Sequence, residues 1–150
     1  LSYLIIIRGN KMIKIFTLLI AMIFSFYANA GTEYKNVFKI SNVQTIETPE
    51  GNYMQIELLT AMKRSDGLEA EGKCLLIIEK GILSGPCNLK DSDGDIRYSK
   101  VYRDTNKGTI GTLTNIGGTG KWTNNTEICE YNVDIRNLNI GIGSTEGTCE

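Results

Sequence analysis

Beyond Gly31 the apolar residues recur at every second position in short runs, and no stretch shows the three-to-four-residue spacing of an amphipathic helix. The clearest run is Tyr53–Lys63, which sets Met54, Ile56, Leu58, Thr60 and Met62 on one face and Gln55, Glu57 and Lys63 on the other. Further strands are predicted at Tyr34–Thr45, Leu68–Glu79, Ile82–Lys90, Asp95–Arg103, Thr109–Ile116, Ile128–Ile135 and around Ser144–Glu150. In Asp95–Arg103 the residues expected to share the inner face are Ile96, Tyr98 and Tyr102. Turn chemistry separates the runs: Pro49-Glu50-Gly51-Asn52, Ser65-Asp66-Gly67, Lys80-Gly81, Asn106-Lys107-Gly108 and Gly117–Gly120. About eight short antiparallel strands joined by sequential hairpins predict an all-β, up-and-down barrel, with a β-sandwich as the alternative. A barrel of about eight strands is either filled by its own side chains or holds one small ligand.

The stretch Gly72–Asp95 carries the strongest local signal. Lys80-Gly81 is a two-residue hairpin connection, which pairs Glu79 with Ile82. Counting outward, Leu76 meets Gly85 and Cys74 falls opposite Cys87 at a non-hydrogen-bonded position, where Cα atoms approach to about 4.5 Å and a disulfide can form. Pro86 would then occupy a hydrogen-bonding position, so an edge strand or a bulge is expected there. With Cys74 joined to Cys87, Cys129 is left for Cys149.

Four cysteines in a small domain suit an oxidising compartment, and the N-terminal region agrees. Lys11 and Lys14 precede an apolar run, Ile15–Tyr27, followed by Ala28-Asn29-Ala30 and Gly31: the plan of a secretory signal, with cleavage predicted after Ala30. Ile15–Tyr27 is short of the roughly 20 residues that span a bilayer. Residues 1–11, ahead of Met12, read as an over-extended reading frame, and residues 31–150 as a single exported domain, periplasmic or secreted. All 17 acidic residues follow Ala30, against 13 basic ones, giving that domain a net charge of −4. This argues against nucleic acid or an anionic membrane as partner.

Two clusters suggest chemistry. Asp91, Asp93 and Asp95 bring three carboxylates together as a hard cation requires, but the calcium-loop template fails at Ile96 and Tyr102; a β-turn with Asp93-Gly94 at its corner accounts for the same residues. Gly117-Gly118-Thr119-Gly120-Lys121-Trp122 has the parts of a phosphate cradle without its spacing, and reads instead as a turn that brings Trp122 into the barrel or over its mouth. The chain contains no histidine, which removes Ser-His-Asp and Cys-His catalysis, and no cofactor motif is found.

The Gly-Lys-Cys to Ser-Gly-Pro-Cys hairpin, then Asp91-Ser92-Asp93-Gly94-Asp95, then Gly117–Trp122, behind a signal peptide, resembles small exported bacterial proteins of the allene oxide cyclase-like, calycin-type barrel class. The order of these motifs carries the likeness; Thr123-Asn124-Asn125-Thr126 departs from the continuation usual there. The resemblance implies a barrel more than it implies cyclase activity. The leading expectation is a non-catalytic exported barrel that binds a small apolar or amphipathic molecule among Met54, Ile56, Leu58, Tyr98, Tyr102 and Trp122. The alternatives are a cyclase or isomerase acting in the same cavity, and a structural protein that works through its outer surface.

Overall fold

The alternation resolves into eight strands: β1 (Thr32–Thr48), β2 (Gly51–Arg64), β3 (Glu69–Glu79), β4 (Ile82–Asp91), β5 (Ile96–Asp104), β6 (Ile110–Gly118), β7 (Ile128–Asn137) and β8 (Ile142–Cys149). The structure, a computed structural model, describes residues 31–137 and 141–150. The readings of residues 1–11 and 12–30 therefore lie outside the described residues. The strands form one closed barrel in chain order, and β8 returns antiparallel to β1, which decides for the barrel over the sandwich. Among the described residues no helix is long and apolar enough to cross a membrane.

The β3–β4 hairpin is as its turn dictates. Lys80 and Gly81 both take positive φ, Glu79 pairs with Ile82, and Cys74 lies opposite Cys87 with Cα atoms 4.0 Å apart and the sulfurs bonded. Cys129 and Cys149, paired across β7 and β8, form the second disulfide. Pro86 departs from expectation. β4 has neighbours on both sides, so it is no edge strand, and the β3–β4 register is unchanged on either side of Pro86. Instead the ladder opens locally between Cys74–Cys87 and Ile77–Ser84, while Pro86 stays in register with Lys100 of β5. Proline's missing N–H is thus accommodated by a gap in pairing, without an inserted residue. Register shifts do occur elsewhere: at Ser41 in β1, at Ile116 in β6 and near the end of β7.

In an up-and-down barrel alternate connections share an end. One end carries the β2–β3 and β4–β5 turns, the β6–β7 connection and the meeting of β1's start with β8's finish. The opposite end carries the β1–β2, β3–β4, β5–β6 and β7–β8 turns. The first end is sealed by polar groups; toward the second, the interior is apolar and hollow.

Candidate functional site

The inward residues of β1 to β8 enclose a cavity of about 330 Å³. Its wall is mostly aliphatic: Met54, Ile56 and Leu58 of β2, Leu76 of β3, Leu83 of β4, Val101 of β5, Leu113 of β6 and Val133 of β7. The Cys74–Cys87 disulfide is part of that wall. This volume lies at the low end of the range of about 300–1,000 Å³ seen for small-molecule sites. Met54, Ile56 and Leu58, read from the β2 alternation, are therefore brought together as the sequence indicates.

Tyr98, Tyr102 and Trp122 are not. Tyr98 and Tyr102 point outward and are 40% and 49% exposed, so they are corrected from the cavity to the outer surface. β5 presents its other face to the interior: Arg97, Ser99, Val101 and Arg103. The reason is electrostatic. Arg97 is fully buried because Glu127, thirty positions along the chain, supplies its countercharge: Arg97 Nη1 lies 3.0 Å from Glu127 Oε2. Arg64 joins the same carboxylate, its Nη1 donating to both Glu127 oxygens at 2.8 Å, while its Nη2 reaches Asp66 at 3.0 Å. Paired in this way, two arginines can be kept from water at tolerable cost.

Trp122 belongs to this sealed end. The single-turn 3-10 helix Gly120–Trp122 tucks the indole inward, leaving it 5% exposed. Its ring lies 5.1 Å from the Arg97 guanidinium carbon, and its Nε1 donates to Asp91 Oδ2 at 2.8 Å. Gly118 makes room for it: a Cβ there would sit 2.5 Å from Trp122 Cβ and 2.2 Å from the Ile96 carbonyl oxygen. Trp122 is thus brought in by a turn, as the sequence suggests, but it closes the polar end and does not line the cavity.

The acidic turn is occupied by the protein's own donors. Asp91 Oδ1 accepts from the backbone amides of Asp93 and Asp95 at 3.0 Å, and Asp91 Oδ2 accepts from Trp122 and pairs with Lys121 Nζ at 3.0 Å. Asp93 Oδ2 takes the same ammonium at 2.6 Å, and Asp95 Oδ2 accepts from the Lys121 amide at 3.2 Å. These are the bonds the turn reading asks for, and a cation here would have to displace Lys121. Burial works against the charge on Asp91, yet the bonds from Trp122, Lys121 and the Asp95 amide hold its carboxyl below the ordinary value. Glu127 also lies beside Cys129 and Cys149, but both sulfurs are spent in the disulfide, so the trio offers no thiolate to a metal.

A few polar side chains face the cavity. On the β1, β2 and β8 wall, Thr60 donates to Asn36 Oδ1, and Asn36 Nδ2 donates to Thr145 Oγ1 at 3.2 Å. Tyr34 is buried beside them; burial and the neighbouring Tyr131 push its phenol well up, against a bond from Thr145 and the charge of Arg97. Burial likewise raises Tyr131, opposed by the nearby Arg103. Both phenols are therefore neutral donors at physiological pH and not bases. Arg97, Arg103, Glu127 and Tyr131 are the residues that the sequence reading does not single out. Extending the hairpin count across the Asp91–Asp95 turn would have found the first two, since Cys87 opposite Ser99 fixes the inward face of β5.

No family model, curated protein or solved structure matches the chain.

Proposed function

We propose that the barrel is an exported, non-catalytic binder that holds one small apolar or amphipathic molecule in its interior. The observation that carries this reading is the cavity of about 330 Å³, walled mainly by aliphatic side chains from every part of the sheet. The polar groups facing it support binding over turnover. Among the described residues no carboxylate lines the cavity, and burial keeps both phenols protonated, so a cyclase or isomerase chemistry would lack a base there. Two disulfides fit an oxidising compartment, which supports export, with the Lys11–Gly31 pattern as the signal and Ala30 as the last residue removed. The motif order supports kinship with allene oxide cyclase-like, calycin-type barrels as the source of the architecture.

The test is native mass spectrometry of the exported protein, purified without refolding from cells expressing the full chain, followed by titration with a neutral fluorophore that brightens in apolar surroundings. A retained molecule, or saturable fluorophore uptake that falls about tenfold or more when Leu113→Phe narrows the cavity, is expected. Uptake that is absent, or unchanged by Leu113→Phe in a protein with native near-ultraviolet circular dichroism, would remove the reading.

A further inference from the structure

The outer face of β5 presents Tyr98, Lys100 and Tyr102, exposed and alternating with the buried Arg97, Ser99 and Val101. One exposed ring needs no explanation. Two on one strand, about 13 Å apart at a rise of about 3.3 Å per residue, form a row. Their neighbours on the adjoining strands are short: Tyr98 stands between Asn88 of β4 and Gly117 of β6, and Tyr102 between Ser84 and Thr112. Gly117 leaves the ground beside Tyr98 open, since a Cβ there would meet nothing within 4 Å. Rings on a sheet ordinarily pack against cross-strand partners. Among the described residues neither of these rings makes an aromatic or cation contact, and neither hydroxyl makes a hydrogen bond.

The charge of this face is a second, separate observation. Lys100, midway between the rings, is flanked by Pro86 and Thr114 and has no ion pair among the described residues. From Ser84 to Lys90 on β4, Tyr98 to Tyr102 on β5 and Thr112 to Ile116 on β6, no outward residue is a carboxylate. Asp104, the next outward residue of β5, is paired with Lys107 at 3.3 Å. Lys90 faces Glu71 of β3, which leaves Lys100 as the unshared charge. With 13 basic against 17 acidic residues after Ala30 the domain is acidic overall, so the field over this face runs opposite to that of the whole.

We propose that this outer face binds an acidic polysaccharide, one carrying uronic acid residues, laid along β5 so that sugar rings stack on Tyr98 and Tyr102 and a carboxylate between them pairs with Lys100. The negative face of a phenol ring attracts the polarised C–H face of a sugar, while Ser84, Asn88 and Thr112 beside the rings offer donors and acceptors to its hydroxyl edge. A uronate carries its charge at the edge of the sugar ring, clear of the C–H faces, so stacking and pairing with the ammonium do not compete. Each contact is exposed to water and screened by salt; repetition along the polymer supplies the affinity. Single-stranded nucleic acid also stacks on aromatic rings, but it requires a basic groove that tracks its phosphates, which one unshared lysine does not make. The site is independent of the cavity, since its residues point away from the interior.

The test is native affinity electrophoresis of the exported protein in gels cast with polygalacturonate, alginate or hyaluronate, with hydroxyethylcellulose as the neutral polymer. At least one acidic polymer is expected to retard the protein, about threefold or more effectively than the neutral one. Tyr98→Ala and Tyr102→Ala are each expected to weaken retardation by about fivefold, and the double variant to abolish it. Lys100→Gln removes the preference for the acidic polymer, whereas Lys39→Gln, an exposed lysine of β1 away from this face, changes nothing. These side chains are exposed, and an unchanged urea midpoint shows that each variant folds. Absence of retardation by all three acidic polymers, equal retardation by the neutral one, or an equal loss in Lys39→Gln would overturn the proposal. Sedimentation velocity identifies the rival occupant: an oligomer that the double tyrosine variant dissolves, without retardation by any polymer, would assign Tyr98 and Tyr102, with the exposed Leu75 and Ile77 of β3, to an interface between copies and overturn the polysaccharide.

Discussion

Glu127 is the residue whose loss tests the sealed end most severely. Its carboxylate is the countercharge for Arg97, which is 1% exposed, and it shares Arg64 with Asp66. In Glu127→Gln the side chain keeps its shape and one acceptor oxygen but loses its charge. Arg64 then retains Asp66 at 3.0 Å, whereas Arg97 retains no charged partner among the described residues, only the Cys129 sulfur at 3.6 Å and the face of Trp122 at 5.1 Å. The cost therefore falls on Arg97. Breaking a buried pair by removing one partner costs about 3–5 kcal/mol, and the surviving acceptor places this variant near the lower bound, about 3 kcal/mol. Trp122, the single tryptophan and itself buried against the cluster, reports unfolding in urea by its fluorescence. With a urea slope of about 1.5 kcal/mol/M the midpoint should fall by about 2 M. Adding Arg97→Met removes the orphaned cation and should recover about 1 kcal/mol or more of the loss. A Glu127→Gln loss below about 1 kcal/mol, or a double variant less stable than the single one, would refute the assignment of Arg97 as a charge that depends on Glu127.

Two more expectations follow from the same end of the barrel and from the disulfides. Asp91 has a folded-state carboxyl held below its ordinary value, so it binds fewer protons folded than unfolded; its stabilisation is complete above the unfolded value and disappears as pH falls through the folded one. Stability measured below about pH 4 should therefore drop less steeply in Asp91→Asn than in the parent, and an identical acid limb would count against the Trp122 and Lys121 bonds. Cys129→Ala/Cys149→Ala opens a bridge across 20 positions and should cost about 3 kcal/mol by loop-closure entropy, read as a lowered denaturation midpoint; no shift would mean that the β7–β8 pairing already confers that constraint.

Much of the fold is legible in the sequence because its physics is local. The β2 alternation fixes which residues face inward, Lys80-Gly81 fixes the β3–β4 register, and that register alone places Cys74 against Cys87. β5 is where such reasoning fails. Ile96-Arg97-Tyr98-Ser99-Lys100-Val101-Tyr102-Arg103 offers a tyrosine face and an arginine face, and hydrophobicity chooses the tyrosines. The arginines point inward because Arg97 meets Glu127 across the closed sheet, a pairing that no spacing along the chain reveals. Trp122 goes astray similarly: its turn is recognisable, but the partners that seat it, Asp91 and Arg97, lie on β4 and β5.

The two disulfides each tie neighbouring strands within one hairpin, β3 to β4 and β7 to β8. Neither crosses the seam at which Thr32 meets Cys149 and Lys39 meets Ile142. That seam joins the most distant parts of the domain's chain by noncovalent contacts alone: backbone hydrogen bonds, side-chain packing and the bond from Asn36 to Thr145. Its closure carries the largest loop entropy in the fold, so the first strand has to wait for the last before the barrel can close. Every other pair of neighbouring strands is consecutive in the chain, so this lengthwise join is the one place where the barrel can part without stretching a turn or a disulfide.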